Sequence, residues 1–292
     1  MQRLLLTGIL IALGLASGCS STTLIYNNAN WYLSGKIDDY FSLSNDQEDQ
    51  IDQHIEQFFK WHRHNELPEY AAFISRFNVV YANGLTAQEL VLLNNQFTSA
   101  RARVARALIE PASQFFTTVS DKQLDHYDAH FYKQLAKRKE KASLSTEEAN
   151  EAEFEELLDD LEDWFGNFDE NQKAKLRLIS DAMPHRDGQR FQRREQRHRE
   201  FLALLRTRPE RSSIKQYLYN RFVTRTDISP EQRERRLANR QQWQSRILEI
   251  DKLITQKQRQ RAMDRLTDYR DDFISLSKQP EAESRLEIDS RQ

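Results

Sequence analysis

The chain has 292 residues, with 43 Lys and Arg against 45 Asp and Glu and a formal net charge of −2, so it exerts no global attraction on nucleic acid. Seven glycines and one cysteine are too few for a fold built on tight β-turns or for a disulfide framework. Glu, Gln, Arg, Leu and Ala, all good helix formers, are abundant, and the composition predicts an all-α protein.

Met1–Gln2–Arg3 is a short basic start, Leu4 to Ala16 is an uncharged run of 13 residues, and Ser17–Gly18 precede Cys19. A charged start, a short apolar run and small residues before a cut site define a secretory signal over residues 1–18. The run falls short of the roughly 20 residues that a spanning helix needs. Leu15–Ala16–Ser17–Gly18–Cys19 resembles the lipobox of bacterial lipoproteins, with Ala16 where Leu is commonest. The resemblance implies cleavage between Gly18 and Cys19, a thioether-linked diacylglycerol on Cys19 and usually an amide-linked acyl chain. One chain anchors only marginally, at about 0.8 kcal/mol per buried methylene, whereas two or three hold a protein on a membrane. Ser20 stands where an Asp often retains Gram-negative lipoproteins at the inner membrane. Its presence predicts the periplasmic face of the outer membrane of a Gram-negative bacterium. With Cys19 the only cysteine, the exported part is held by packing and not by disulfides.

Helical periodicity then runs the length of the chain. Asn27–Phe41 reads as a short helix with Trp31, Tyr32, Leu33, Ile37, Tyr40 and Phe41 as apolar contacts. Ser44 and Gln47 have capping-box spacing and open a helix through Ile51, Ile55, Phe58 and Phe59. Pro68 suits a first turn before Tyr70, Phe73, Ile74, Phe77 and Tyr81, and Gly84 is a stop. Thr86 and Glu89 cap a helix ending near Glu110, at Pro111. Helices follow from Asp121, from Ser145, from Asp169–Gln172 to near Pro184, over Phe191–Arg206 and Pro209–Val223, from Ser229–Gln232, and from Thr255–Gln258. Residues 280–292 read as a disordered tail. The expected architecture is an elongated bundle of about nine to ten helices over residues 19–279, with a subdivision point near 143–146.

One pattern recurs. A hydrophobic residue, a capping residue, two others and then Gln stand at Leu43–Gln47, Val119–Gln123, Phe168–Gln172, Ile228–Gln232 and Ile254–Gln258, with a shifted version at Leu85–Thr86. The irregular spacing excludes a strict solenoid. The simplest reading is a hydrophobic staple plus a capping box that starts helices. Charge is also patterned. Thr146–Glu170 holds twelve acidic residues and no Lys or Arg, while Arg186–Arg240 holds sixteen Arg or Lys against seven acids. The two blocks are candidates for pairing within the chain.

No Gly-x-Ser-x-Gly, phosphate-cradling loop or dinucleotide fingerprint occurs. His54, His62 and His64 lack metal-site spacing, and His62 beside Trp61 suits packing and hydrogen bonding. Asp38 and Asp39 point about 100° apart on a helix, a poor arrangement for shared acid–base work; facing solvent, or capping and pairing with Arg63 or another cation, suits them better. The expectation is a protein that acts by binding, without catalytic residues, metal or cofactor.

Tyr26–Asn27–Asn28, Trp31, Ile37–Ser44, Gln47, Trp61–His62–Arg63, Glu66–Leu67–Pro68 and Tyr70–Ala71 together resemble a family of uncharacterised proteobacterial lipoproteins. That resemblance implies a helical envelope protein of no known activity. The hydrophobic-Ser/Thr-x-x-Gln repeats resemble the LTxxQ motifs of Spy-type periplasmic chaperones, which are smaller helical cradles for unfolded clients. Lys36–Ser44 is more faintly similar to a segment of lipase-specific foldases. These likenesses imply a protein-interaction or chaperone-like role, with Trp31, Asp38, Asp39, Tyr40, Trp61, His62 and Arg63 as candidate partner-binding residues. The alternative is a structural envelope component that binds anionic lipid or glycan phosphates through Arg193, Arg194, Arg197 and Arg199, since Arg matches phosphate bidentately. The expected partners are the membrane, through the lipid, and an envelope protein.

Overall fold

The computed structural model describes residues 19–141, 146–182, 189–226 and 228–279. The signal segment 1–18 with Gly18, most of the expected subdivision at 143–146 and the tail 280–292 lie outside them. Every regular element among the described residues is helical.

The chain is helical from Cys19, earlier than expected. α1 (Cys19–Asn27) and α2 (Ala29–Phe41) meet at Asn28, whose side-chain amide bonds to the Leu24 carbonyl at 2.7 Å and competes with helix continuation. α2 ends on Ser42 in the left-handed conformation, φ 51°. Ser44 then starts α3 (Asn45–Trp61) with the expected capping box. α3 passes without a break through a π-turn, His62–Glu66, into α4 (Leu67–Tyr81): the Leu67 N–H bonds to the His62 carbonyl, five residues back. Pro68 lies in the first turn of α4, where a missing N–H costs little.

Gly84 turns the chain at φ +94°, where a Cβ would also meet the Asp251 carboxylate at 3.1 Å. α5 (Ala87–Thr118) is about 48 Å long by helical rise and does not stop at Glu110; Pro111 lies inside it. A mid-helix proline costs about 3 kcal/mol. Beyond it, Phe115 and Phe116 pack edge-on against Phe41 at 5.1 and 5.8 Å, and that burial carries the helix on.

α6 (Asp121–Lys141), α7 (Thr146–Phe165), α8 (Glu170–Asp181), α9 (Gln189–Arg206), α10 (Arg211–Tyr219), a second π-turn at Asn220–Thr224, α11 (Pro230–Asp251) and α12 (Gln256–Lys278) complete the order. α3–α4 runs antiparallel to α5, with Gln47 on Thr118 at one end and Glu66 on Arg103 midway. α12 lies antiparallel on α4: Arg259 sits over the Tyr81 ring at 4.7 Å, Asn78 bonds to Thr267 at 3.0 Å, and Tyr70 meets Phe273. α6 pairs with α9 through Asp125–Arg206 and Asp128–His198, and with the turn just after α9 through Asp121–Arg208. The acidic α7 finds cations on the very next helix, with Glu151 on Arg177 and Glu162 on Lys173.

Among the described residues, two clusters of buried apolar side chains sit around the helix starts. One joins Phe41, Val119, Leu124, Leu202, Leu205, Ile214 and Leu218; the other joins Phe168, Leu176, Ile250 and Ile254. Val119, Phe168 and Ile254 are the leading hydrophobic residues of the recurring motif, and each buried side chain of this size contributes about 1.5–3 kcal/mol.

Candidate functional site

Three arrangements of polar groups stand out against this frame. The first involves the motif glutamines. In the capping boxes of α3, α6, α8 and α12, Oε1 of Gln47, Gln123, Gln172 and Gln258 accepts the N–H of its own cap residue. That leaves each Nε2 free to donate elsewhere. Gln123 donates to the Ser42 carbonyl and to Gln47 Oε1, while Gln47 donates to the Thr118 carbonyl and hydroxyl. Gln172 donates to the Leu253 carbonyl and to Gln258 Oε1, while Gln258 donates to the Asn167 carbonyl. In all four cases the accepting carbonyl lies two residues before the partner helix's cap. Two helix starts are thus crosslinked twice over, once in each core. The motif does more than start helices, and the exceptions agree with the rule. Thr86–Glu89 has a carboxylate at the third position, which has no N–H for a crosslink. Ser229 accepts from the Gln232 N–H, but its box is not reciprocal.

The second is a polar cluster around the first π-turn. Glu66 is 1% exposed, and Arg103 on α5 grips it with Nε at 2.7 Å and Nη2 at 2.9 Å, a bidentate fork. Burial and the adjacent Glu66 carboxylate push the Tyr70 hydroxyl well above its usual range. Arg63 reaches Asn27 at 2.9 Å and covers the Tyr26 ring at 5.4 Å. His62 Nδ1 lies 3.0 Å from the Tyr26 hydroxyl. Burial pulls the His62 imidazole down to about 4, against a weaker upward pull from Glu66, so it is neutral near pH 7. Burial likewise raises Tyr26 to about 12. Glu66 has its counter-charge in Arg103, and the Tyr26–His62 and Asn27–Arg63 contacts make the cluster a lock between elements. It fastens α1, the helix that begins at Cys19, to the junction of α3, α4 and α5.

The third is the seam between α5 and α11. The Leu85 N–H donates to Asp251 at 2.8 Å, and Asp251 is held by Arg259 at 2.7 Å in a buried pair. Further along, Arg101 donates to the Phe222 carbonyl in the second π-turn at 2.6 Å, while its Nη2 is buried and meets no acceptor. Val91, Leu92 and Phe97 on α5, Leu237, Trp243 and Ile247 on α11 and Leu178 on α8 are exposed.

The candidate partner-binding residues therefore do not share one surface. Trp61, His62 and Arg63 gather at the lock. Asp38 accepts the Leu43 N–H at 2.9 Å, closing the α2–α3 turn, and Asp39 pairs with Lys36 at 2.7 Å; neither takes Arg63, which goes to Asn27. Tyr40 packs on His130 at 4.4 Å. Trp31 stands 76% exposed on α2. Arg193, Arg194, Arg197 and Arg199 all lie on α9: Arg194 is half-buried over the Phe131 ring at 5.7 Å, Arg199 pairs with Glu195 at 3.6 Å, and Arg193 and Arg197 are half-buried. Sequence reasoning missed Arg101, Arg103 and Asp251, since no spacing in the sequence links them to their partners. Among the described residues, no three His, Cys, Asp or Glu side chains converge as a metal site, and no helix is long and apolar enough to cross a membrane.

The sequence model of the Family of unknown function (DUF6279) matches residues 39–224. The chain belongs to that family. The matched span contains the Gln47–Gln123 crosslink, the Glu66–Arg103 pair and the second π-turn, and ends before the Gln172–Gln258 partner helix α12. No curated protein and no solved structure matches the chain.

Proposed function

We propose that this protein is a lipid-anchored envelope protein, held by Cys19 at the periplasmic face of the outer membrane, that acts by binding rather than by catalysis. Its partner surface is the α5–α11 face. The observation that carries this reading is the apolar exposure on these two helices: Phe97 is 57% exposed, Val91 and Leu92 are exposed on other sides of α5, and Trp243 and Ile247 are exposed on α11. Exposed apolar surface of this kind is a candidate interaction site. The lock at the first π-turn supports the same reading, because it ties the helix after the lipid-bearing residue rigidly to the body that carries the face. An apolar or amphipathic partner is expected, in the manner of a chaperone or an assembly factor.

The test is a photocrosslinking amino acid at Phe97 of the full chain in intact cells, with Lys133 on α6 as the exposed control. A defined adduct at Phe97 and none at Lys133 is the expected result. Equal or absent adducts at both positions would overturn the reading.

A further inference from the structure

The segment that follows the anchor residue carries no charge. Cys19 to Gly35 is 17 residues without Asp, Glu, Lys or Arg, in a chain that is 30% charged. Beyond Gly35 no uncharged run exceeds the 12 residues of Phe77–Gln88. This segment forms α1 and the first half of α2. The chain bends at Asn28, but the Asn28 N–H still donates to the Leu24 carbonyl and the Tyr32 N–H to the Asn28 carbonyl. The helical register therefore passes through the bend, and one face runs along both helices.

One side of this pair is committed to the body. Tyr26 meets Phe59 edge-on at 5.4 Å and His62 through its hydroxyl, and Asn27 accepts from Arg63 and donates to Gln279 after α12. Ile37 and Tyr40, which fall within about 40° of Tyr26 at 100° per residue, pack on the first core. Leu24, Trp31 and Gly35 fall on the other side, about 140–180° from Tyr26. Leu24 is 65% exposed and Trp31 76%, and a Cβ built on Gly35 would meet nothing. Asn28, between Leu24 and Trp31, turns its amide back onto the Leu24 carbonyl. Tyr32 stands exposed beside the strip.

We infer that the Leu24–Trp31–Gly35 face of α1 and α2 lies in the headgroup region of the bilayer that holds the acyl chains of Cys19. This rests on the reading of Cys19 as the anchor and adds a second, non-covalent contact beside it. By helical rise, Leu24 and Trp31 stand about 8 and 18 Å along the chain from Cys19. An interfacial helix sinks its apolar face about 5–10 Å into the boundary between headgroups and acyl chains, and Trp and Tyr concentrate at that depth. A strip without carboxylates meets anionic headgroups without repulsion and buries no charge. The first charges after it, Lys36 and Asp39, pair with each other at 2.7 Å. The size of the strip favours a membrane over a protein. It is about 24 Å long and 10 Å wide, roughly 240 Å², well short of the about 800 Å² a side that a stable protein interface buries. Acyl chains alone leave a tethered body free to swivel; this contact fixes which way it faces.

The experiment uses the full-length lipidated protein in vesicles of phosphatidylethanolamine and phosphatidylglycerol. Cys19 is the only cysteine and its sulphur is taken up by lipid, so Gly35→Cys supplies a single thiol for a nitroxide. Lys133→Cys on α6, at an exposed position, is the control. Oxygen, which concentrates in the bilayer, should relax the Gly35 label severalfold more than a water-soluble nickel chelate does, with the order reversed at Lys133. Leu24→Ser with Trp31→Ser should return the Gly35 label to the Lys133 pattern and leave the urea midpoint in place, since both side chains are exposed. Matching patterns at Gly35 and Lys133 in protein that still sediments with the vesicles, or immersion that the double variant leaves unchanged, would overturn the inference and leave the anchor standing. Spin–spin broadening at Gly35 that unlabelled protein dilutes away would also overturn it, by giving the face to a second copy. A mass spectrum with no acyl chain on Cys19 would overturn the anchor and the inference together.

Discussion

Gln47 and Gln123 exchange side-chain amides across two helix starts 76 residues apart in sequence, with Gln123 Nε2 2.6 Å from Gln47 Oε1. Each amide oxygen closes its own capping box, and each amide nitrogen reaches a carbonyl in the opposite turn. Gln172 and Gln258 repeat the arrangement 86 residues apart. The glutamine is therefore chosen for its nitrogen, because a capping box alone is served equally well by Glu.

Gln123→Glu keeps the oxygen and removes the donor. It should lower stability by about 1–3 kcal/mol, since the Ser42 carbonyl loses its partner and two acceptors are forced together. Thr86→Ser with Glu89→Gln, in the box without a crosslink, should change stability by no more than a few tenths of a kcal/mol. Urea midpoints at constant slope measure both. An unchanged midpoint in Gln123→Glu would reduce the motif to a helix start.

Arg103→Met leaves the Glu66 carboxylate buried without a counter-charge and should cost about 3–5 kcal/mol. The double variant Glu66→Met with Arg103→Met removes both charges and should recover much of that loss. A double variant less stable than Arg103→Met would show that the pair contributes more than mutual neutralisation. Denaturant titration of the three proteins decides it.

His62 gives the stability a defined pH dependence. In the folded chain it protonates only near pH 4, but in the unfolded chain near pH 6.5. Between those values the unfolded state binds more protons, so its contribution is fully present above about pH 6.5 and is lost as pH falls towards 4. His198, which burial also lowers despite Asp128, acts with the same sign. Stability should drop by about 3 kcal/mol from this group across the window. The decline should be shallower in His62→Gln, and parallel urea profiles for the two proteins would refute it.

Asp251→Asn should loosen the turn at Gly84. The neutral amide still accepts from Leu85 but cannot balance Arg259, which is buried beside it. A loss of about 3 kcal/mol is expected. Hydrogen exchange should rise first in residues 82–90 and 250–258; uniform exchange along the chain would contradict this placement.

Cys19→Ser tests the anchor. Wild-type protein should incorporate labelled palmitate and sediment with membranes, and the variant should do neither. A labelled or membrane-bound Cys19→Ser protein would dispose of the lipid attachment.

The helices were legible in the sequence because their determinants are local. Ser44, Thr86, Asp169 and Thr255 each sit three residues before the side chain that completes their box, and a spacing of three is visible in a string of letters. The bend at Asn28 and the passage through Pro111 were not. In both, a tertiary contact or a side chain folding back overrides propensity: Asn28 on Leu24, and Phe115 and Phe116 on Phe41. The candidate site was half visible. Tyr26, Asn27, His62, Arg63 and Glu66 stood out as motif residues, but Arg103, which neutralises Glu66, is one arginine among many until α5 is laid against α4.

By itself the sequence determined an all-helical fold class, the capped helix starts and the residue types that close them, for these depend on bonds spanning three or four positions. The tertiary structure alone decided which glutamines meet, which arginine takes the buried carboxylate and which is left without one. Those pairings join residues far apart along the chain. Closing such distances depends on how whole helices pack, which no local spacing encodes.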